Sequence, residues 1–173
     1  MEAVPAARYA FLDGPGPVAM AHRGGAIEHL ENTFPAFQAC VEMGYRYLET
    51  DVRVTADGVL AVFHDPTLER VTDRTGRIDT MPWSEVSTAR IGGREPILRL
   101  EDLLGAWPDV RFNLDIKAAG VLAPLVRTVR RLKIADRICL GSFSDARIAA
   151  ARRLFGPAVF IEMGRGWFWD IVL

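Results

Sequence analysis

The stretch VAMAHRGG, residues 18–25, decides the predicted fold. Its first four residues are apolar and predict a β-strand, and the histidine, arginine and two glycines that follow mark the end of that strand. Thr33 as an N-cap and Pro35 in the first turn then predict a helix, which ends at Gly44. The stretch therefore predicts a βα unit with polar residues at the carboxyl end of its strand.

The same alternation of apolar strands and amphipathic helices continues along the chain. About six strands are predicted, at residues 18–21, 47–54, 59–63, 111–117, 138–141 and 159–161. This alternation is typical of a parallel sheet with crossover helices, although Asp57-Gly58 predicts only a turn between the second and third strands. Residues 67–99 interrupt the alternation, and so long an excursion is usually a functional loop or a small subdomain.

Composition and charge exclude several classes of protein. The 173 residues are 50% hydrophobic and 25% charged, which suits one globular domain, and the net charge of -1 gives no reason to expect nucleic acid as a partner. No segment approaches the roughly 20 apolar residues of a membrane span, and residues 1–17 lack the apolar run of a signal peptide. We therefore expect a cytoplasmic protein with an N-terminal extension, residues 1–17, before a domain of residues 18–173.

Two carboxylates alternate in the second predicted strand. Glu49 and Asp51 lie two residues apart, so both side chains point to the same face of the sheet. Paired carboxylates in an interior repel each other unless a cation that prefers oxygen ligands, such as Ca²⁺ or Mg²⁺, lies between them. A solvated strand with alternating charge, which Arg53 continues, is the competing interpretation, and the Glu-x-Asp pattern alone favours it.

The fourth predicted strand repeats this arrangement. Asn113, Asp115 and Lys117 share one face, so Asp115 can complete a group of three carboxylates. Lys117 offers a positive charge to a phosphate oxygen, although a lysine at the end of a strand is more often solvated. In α/β barrels the carboxyl ends of the strands converge, so these residues are expected in one pocket with those of the second strand.

Two of the three histidines directly follow apolar strands. An unperturbed imidazole titrates near a pKa of ~6.5, so His22 and His64 together can act as base and acid across one P–O bond. Arg23 adds a planar fork of donors suited to phosphate oxygens. Each residue alone has a structural explanation: a lone histidine is more often structural, and the arginine fits a tight turn.

Taken together, these motifs resemble the glycerophosphodiester phosphodiesterase family. The matching motifs, in order, are His22-Arg23-Gly24, Glu31-Asn32-Thr33, Glu49-x-Asp51, Asp57-Gly58, His64-Asp65, Asn113-x-Asp115-x-Lys117 and Ser142-Phe143. The resemblance implies a TIM-type (β/α)₈ barrel in the α/β class, with residues 67–99 as a small insertion after the third strand. It also implies metal-dependent hydrolysis of small glycerophosphodiesters to glycerol 3-phosphate and an alcohol.

The resemblance also implies a role for seven residues. The ligands of one divalent cation, Ca²⁺ or Mg²⁺, would be Glu49, Asp51 and Asp115. The phosphate contacts would be Arg23 and Lys117, and the acid–base pair would be His22 and His64. The family usually has glutamate where this chain has Asp115, which is one methylene shorter, so both direct and water-mediated contact with the cation fit.

The length of the chain departs from the family. A complete barrel takes about 250 residues, so about six strands before Leu173 predict an incomplete barrel whose open edges invite self-association. Residues 163–173 do not resemble the family's continuation. Two alternatives follow: an inactive or partner-dependent fragment of the enzyme, and a phospholipase D-like lyase, related to sphingomyelinase D, that acts on lysophospholipid or sphingomyelin.

Overall fold

A computed structural model describes residues 9–13, 17–25 and 29–162 of the chain. The strands are β1 (Met20–His22), β2 (Tyr47–Val54), β3 (Leu60–Val62), β4 (Arg90–Ile91), β5 (Glu95–Pro96), β6 (Leu98–Arg99), β7 (Arg111–Ile116), β8 (Ile138–Gly141) and β9 (Phe160–Ile161). The helices are α1 (Phe34–Glu42), α2 (Trp83–Val86), α3 (Leu100–Ala106), α4 (Leu122–Leu132) and α5 (Asp145–Phe155). α1 begins directly after Thr33 and has Pro35 in its first turn, as the sequence predicts, but the Thr33 hydroxyl donates to the Leu30 carbonyl and makes no capping hydrogen bond.

Five parallel strands form the wall that carries the predicted site. β1 and β7 lie on either side of β2, and β8 and β9 extend the sheet beyond β7, all in the same direction. Helices α4 and α5 follow β7 and β8, and each connects its strand to the next parallel strand of the sheet. This is the parallel α/β architecture predicted from the alternation of strands and helices.

The third predicted strand, at residues 59–63, is not part of the parallel arrangement. β3 runs antiparallel to β2, with Val52 paired to Val62 and Val54 paired to Leu60. Only residues 55–59 connect the two strands, and a parallel connection needs a crossover of a dozen residues or more, so the chain forms a hairpin here. The barrel wall therefore has five parallel strands among the described residues, and β3 with its antiparallel neighbour β6 extends one end of β2.

Alternation along the strands separates the core from the predicted site. In β2, Leu48 and Val52 belong to the main hydrophobic core, as do Leu114 of β7 and Leu140 of β8. Helices α1, α3 and α4 cover this face with side chains that include Phe37, Leu103 and Leu125. Because successive side chains of a strand point to opposite faces, the intervening polar residues point to the other side of the sheet.

Part of the predicted insertion packs with residues of β3 and its end in a second, smaller hydrophobic core. Its buried members are Ala61, Phe63, Leu68, Ile78, Val86, Ala89, Ile91 and Ile97. β4 and β5 form a two-stranded antiparallel sheet within it. This cluster holds the chain after β3 in a fixed arrangement, whereas the exact limits of the insertion and of the N-terminal extension stay predictions.

The edges of the wall are formed by β1 and β9. Within the described ranges β1 pairs only with β2, and β9 pairs only with β8. Self-association through these edges stays a prediction, and the predicted departure from the family at residues 163–173 lies outside the described residues. None of the helices in the described part of the chain has the length and apolar character that crossing a membrane demands.

Candidate active site

The three predicted carboxylates meet on the polar face of the wall. Strand register pairs Glu49 with Asn113 and Asp51 with Asp115, so the acids of β2 and β7 lie side by side. One carboxylate oxygen from each of Glu49, Asp51 and Asp115 lies within 4.8 Å of the other two. All three side chains are buried, with Asp51 at 0% exposure. The shorter side chain of Asp115 therefore still reaches the group.

Two cations flank the carboxylates. Lys117 Nζ lies 2.5 Å from Asp115 Oδ2 and 2.9 Å from Asp51 Oδ1. Arg23 Nε lies 3.1 Å from Asp51 Oδ2 on the opposite side. The two predicted phosphate contacts thus lie against the predicted cation ligands, and their charges offset two of the three negative charges.

The pKa values of Glu49 and Asp51 are shifted in opposite directions. Burial, followed by the neighbouring Asp51 charge, raises the pKa of Glu49 to about 8. Burial alone would raise the pKa of Asp51 as well, but the Lys117 ammonium and the Asn32 amide hold it below its usual value. The Glu49 carboxyl therefore keeps its proton up to about pH 8, and a divalent cation beside it would displace that proton.

Unpartnered buried polar atoms are concentrated here. Among the described residues, the buried side-chain nitrogen and oxygen atoms without a hydrogen-bond partner are Arg23 Nε, Asp51 Oδ1, Asn113 Oδ1 and Asp115 Oδ1. Arg23 Nε and Asp51 Oδ1 have a charged neighbour at ion-pair distance but not in hydrogen-bond geometry. Buried polar atoms in folded proteins are nearly always paired, so a set of unpaired ones in one place calls for a ligand. Three convergent carboxylates are the donor set that a hard divalent cation takes.

The two residues that follow β1, Arg23 and Gly24, have left-handed backbone conformations. Arg23 has a φ of 51°, a left-handed conformation that is uncommon outside glycine, and its backbone N–H donates to Glu49 Oε2 at 3.1 Å. Gly24 follows with a φ of 75°, and a Cβ there would lie 3.0 Å from the Ala36 side chain. Only glycine fits where β1 turns against α1, and this turn brings Arg23 towards Asp51.

Asn32 fixes Asp51 from the loop before α1. Its amide Nδ2 donates to Asp51 Oδ2 at 2.9 Å, and its Oδ1 accepts from the Thr50 hydroxyl at 2.8 Å. Asn32 is itself left-handed, with a φ of 58°. Both ends of the amide are therefore used, which holds the Asp51 carboxylate in one orientation.

The two predicted catalytic histidines have different surroundings. His22 Nε2 lies 3.6 Å from Glu49 Oε2, and 60% of its side chain is exposed. Burial of the remainder, followed by the Arg23 charge, lowers the pKa of His22. His64 Nδ1 lies 2.5 Å from Asp65 Oδ1, which orients the ring and leaves Nε2 as its other polar atom.

A chain of ion pairs links the loop of His64 to the loop of Arg23. Arg70 Nη2 donates to Glu31 Oε1 at 2.6 Å, and its Nε donates to Asp65. Arg23 Nη1 lies 3.4 Å from Glu31 Oε1. Burial opposes ionisation of Glu31 and Asp65, but contact with Arg70 lowers the pKa of both carboxyl groups. Arg70 thus couples the two segments that carry the histidines.

Sequence reasoning did not single out Arg70 and Glu162 as residues of this site. Arg70 lies in the irregular segment after β3, where no periodicity predicts the direction of a side chain. Glu162 directly follows β9 and is reached by Asn113 Nδ2, which donates to Glu162 Oε1 at 3.4 Å. A signal for Glu162 was present, because it is a polar residue at the end of an apolar strand, like His22.

Residues 22–156 match the Glycerophosphoryl diester phosphodiesterase family. The chain belongs to this family. Over 157 residues it is 42% identical to the "Probable glycerophosphodiester phosphodiesterase 2" of Mycobacterium tuberculosis, an alignment that covers 90% of the chain and 60% of that protein. It is 36% identical over 111 residues to a human lysophospholipase D, covering 57% of the chain and 35% of the relative. The chain therefore spans less than two thirds of the length of these family members.

A solved family structure shares the fold. The crystal structure of the glycerophosphodiester phosphodiesterase from Agrobacterium tumefaciens superimposes with a TM-score of 0.77 at 30% identity, covering 83% of this chain and 65% of that one. The sequence-based prediction of family and of a TIM-type barrel fold is thereby confirmed. The α/β wall of five parallel strands is the part of that barrel present in the described residues.

Proposed function

We propose that this chain carries the catalytic site for metal-dependent hydrolysis of small glycerophosphodiesters to glycerol 3-phosphate and an alcohol. The observation that carries the proposal is the convergence of three buried carboxylates, two of them with unpartnered oxygens, beside two cations. The names of its family relatives support the reaction. The cytoplasmic location predicted from the sequence stays a prediction, which fractionation of the source cells would check.

In this proposal the negatively charged side chains bind the cation and the positively charged side chains bind the phosphate. Glu49, Asp51 and Asp115 hold one divalent cation, either Ca²⁺ or Mg²⁺, through carboxylate oxygens. Such a cation, when bound, polarises a phosphoryl oxygen and neutralises charge that develops on it. Lys117 and Arg23, which lie against these carboxylates, would bind the remaining phosphate oxygens.

The two histidines divide the proton transfers. His22, whose lowered pKa keeps the imidazole neutral at pH 7, accepts a proton from the attacking water or glycerol hydroxyl. His64, oriented through Nδ1 by Asp65, gives a proton from Nε2 to the departing alcohol oxygen. Arg70 keeps the Asp65 carboxylate in place for this step.

Hydrolysis of glycerophosphocholine by the purified chain tests the proposal. We expect turnover with added Ca²⁺ or Mg²⁺, loss of turnover with EDTA, and loss in His22→Ala. His29→Ala is the matched control, because this third histidine is exposed and outside the site. Absence of metal-dependent turnover above that of His22→Ala would refute the proposal and favour the alternative of an inactive or partner-dependent fragment.

A second candidate is hydrolysis or cyclising cleavage of lysophospholipid, which the human relative favours. Comparison of glycerophosphocholine with lysophosphatidylcholine and sphingomyelin separates the candidates. We expect the water-soluble diester to be preferred, because the described part of the site is lined by charged groups. A clear preference for either lipid would replace the first candidate with the second.

A further inference from the structure

The carboxyl ends of β7 and β8 are joined by a hydrogen bond beyond the last paired residues of the two strands. Their register places Asp115 opposite Gly141, and the residue that follows β8 is Ser142. The Ser142 hydroxyl, which is buried, donates to the Ile116 carbonyl at 2.9 Å. This bond holds the chain at the point where β7 ends and Lys117 begins the next segment.

Arg147 reaches the same point from the first turn of α5. The side chain of Ser144, the N-cap of α5, accepts a hydrogen bond from the Arg147 backbone N–H at 3.4 Å. The Arg147 guanidinium donates from Nε to Ser142 Oγ at 2.8 Å and from Nη1 to the Lys117 carbonyl at 2.9 Å. A guanidinium is planar and its N–H groups have fixed directions, so the two acceptors are held in one relative position. One side chain of α5 therefore binds the ends of both strands.

The main chain of Lys117 is held from two sides. Its N–H donates to the Val52 carbonyl of β2 at 3.2 Å, and its carbonyl accepts from Arg147. A hydrogen bond from a charged donor is about twice as strong as one between neutral groups. β2 and α5 together therefore fix the residue that follows β7, and with it the Cα atom from which the lysine side chain extends.

The side chain of Lys117 depends on this fixed main chain for its direction. Its Nζ lies between Asp51 and Asp115, and 5.7 Å from the ring centroid of Phe143, the residue directly after Ser142. A lysine side chain is long and flexible, so holding it in one place costs conformational entropy. A main chain that is already fixed leaves less freedom to lose when Lys117 binds a phosphate oxygen.

We propose that Arg147 is a positioning residue for phosphate binding and that it acts through Lys117. This inference rests on the proposed function, in which Lys117 contacts the phosphate. Arg147 binds the Lys117 carbonyl and the Ser142 hydroxyl, and so keeps the ammonium group at the place where the phosphate oxygens arrive. An arginine that only stabilised the packing of α5 would affect unfolding, but its effect on phosphate affinity would not depend on Lys117.

The test is a double-mutant cycle on the Mg²⁺-loaded chain, with affinity for sn-glycerol 3-phosphate measured by calorimetry. We expect Arg147→Met to lower this affinity about tenfold, on the order of one hydrogen bond, and to leave Mg²⁺ affinity unchanged. In a Lys117→Met background the same substitution should have no further effect, because the side chain that it positions is absent. In hydrolysis of glycerophosphocholine KM should rise while kcat stays unchanged, the pattern of lost binding that ground and transition states share.

Arg152→Met is the matched control, because Arg152 is an exposed arginine near the other end of α5. Thermal melting shows which variants fold. Arg147→Lys keeps the charge but has one nitrogen for two acceptors, so it should bind sn-glycerol 3-phosphate about threefold more weakly than the unsubstituted chain. This variant carries the test if Arg147→Met does not fold.

Unchanged affinity for sn-glycerol 3-phosphate in a folded Arg147→Met variant, or an equal further loss in the Lys117→Met background, would overturn the positioning role and leave the proposed function standing. Full affinity in Arg147→Lys would also overturn it, because charge rather than the two-point contact would then be responsible. Failure of the unsubstituted Mg²⁺-loaded chain to bind sn-glycerol 3-phosphate would overturn the positioning role and the proposed function together.

Discussion

The polar groups at the two ends of β2 and β7 differ in whether the protein itself supplies their hydrogen-bond partners. At the amino end of β2 and β7, the Tyr47 hydroxyl donates to the Phe11 carbonyl at 2.9 Å, and Arg111 donates to the Asp13 carbonyl and to Tyr47. At the carboxyl end, Asp51 and Asp115 each retain a buried oxygen without a hydrogen-bond partner. Polar groups that the protein satisfies itself stabilise the fold, whereas those left unsatisfied mark where a ligand binds.

A groove also lies at the amino end of the strands, away from the three carboxylates. Its volume is about 520 Å³, and Met43, Arg46 and Arg111 are among its lining residues. No unpartnered buried side-chain atom of the described residues lies among the residues that line it. In barrels of this type the amino end serves stability and the carboxyl end serves catalysis, which agrees with the distribution of unpartnered atoms.

Phe11→Ala tests the stabilising end and has the largest expected effect. Phe11 is 2% exposed and packs against the rings of Tyr47 and Phe160, so its truncation leaves a cavity. We expect the free energy of unfolding in urea to fall by ~3–5 kcal/mol, with cation affinity unchanged in the folded fraction. Leu12→Ala, at a neighbouring exposed residue, should have little effect. A parallel loss of cation affinity in Phe11→Ala would show that the two ends are not separate.

Asp51→Asn tests the catalytic end. It removes one negative charge from the proposed cation site and leaves Lys117 with one carboxylate partner fewer. Because changes to residues that merely support metal ligands cost ~10–100-fold, we expect turnover of glycerophosphocholine to fall by more than ~100-fold. Stability should be retained, since the substitution also removes repulsion from Glu49. Activity within threefold of the unsubstituted chain would contradict the assignment of Asp51 as a ligand.

Arg70→Met tests the link between the two histidine segments. Loss of its bonds leaves Glu31 paired only with Arg23 and Asp65 only with His64 among the described residues, so we expect kcat/KM to fall about tenfold while cation affinity stays unchanged. Arg77→Met is the matched control, because Arg77 is a similarly exposed arginine paired with Asp79 away from the site. Equal kinetic effects of the two substitutions would indicate that Arg70 has only a general structural role.

The pH dependence of cation affinity gives a smaller, graded effect. Folding raises the pKa of Glu49 from 4.5 to about 8, so the folded chain without a cation binds more protons than the unfolded chain between these values. The stability that this proton provides is present below pH 4.5 and is lost as the pH rises through about 8.

Cation binding requires the ionised Glu49 carboxylate, so cation affinity should rise towards pH 8, by at most tenfold per pH unit. Thermal melting with and without Ca²⁺ at pH 6, 7 and 8 measures both trends, and a cation effect independent of pH would exclude a protonated Glu49.

The sequence predicted the parts of the site that local patterns determine. Strand alternation placed Glu49 with Asp51 and Asn113 with Asp115, because the period of a strand fixes which side chains share a face. The direction of β3 was not determined by its apolar pattern, which is the same in parallel and antiparallel strands. The short connection through Asp57-Gly58 contained that information.

Long-range contacts explain what the sequence did not predict. The position of Arg70 depends on how the irregular segment after β3 packs, and its contact with Glu31 spans 39 residues. The contact between Asn113 and Glu162 depends on the register of β7, β8 and β9, and the position of neither residue in the sequence indicates the other. Strand period therefore predicts faces, while neighbours across the sheet become known only from the fold.

Calorimetric titration of the metal-free chain with Ca²⁺ and with Mg²⁺ at pH 7.5 tests the central claim most directly. The claim is that the three buried carboxylates of β2 and β7 are the ligands of a divalent cation. We predict that one cation binds per chain, that Asp51→Asn weakens binding by more than ~100-fold, and that Phe11→Ala does not. Absence of binding at millimolar cation, or undiminished binding to Asp51→Asn, would contradict the claim.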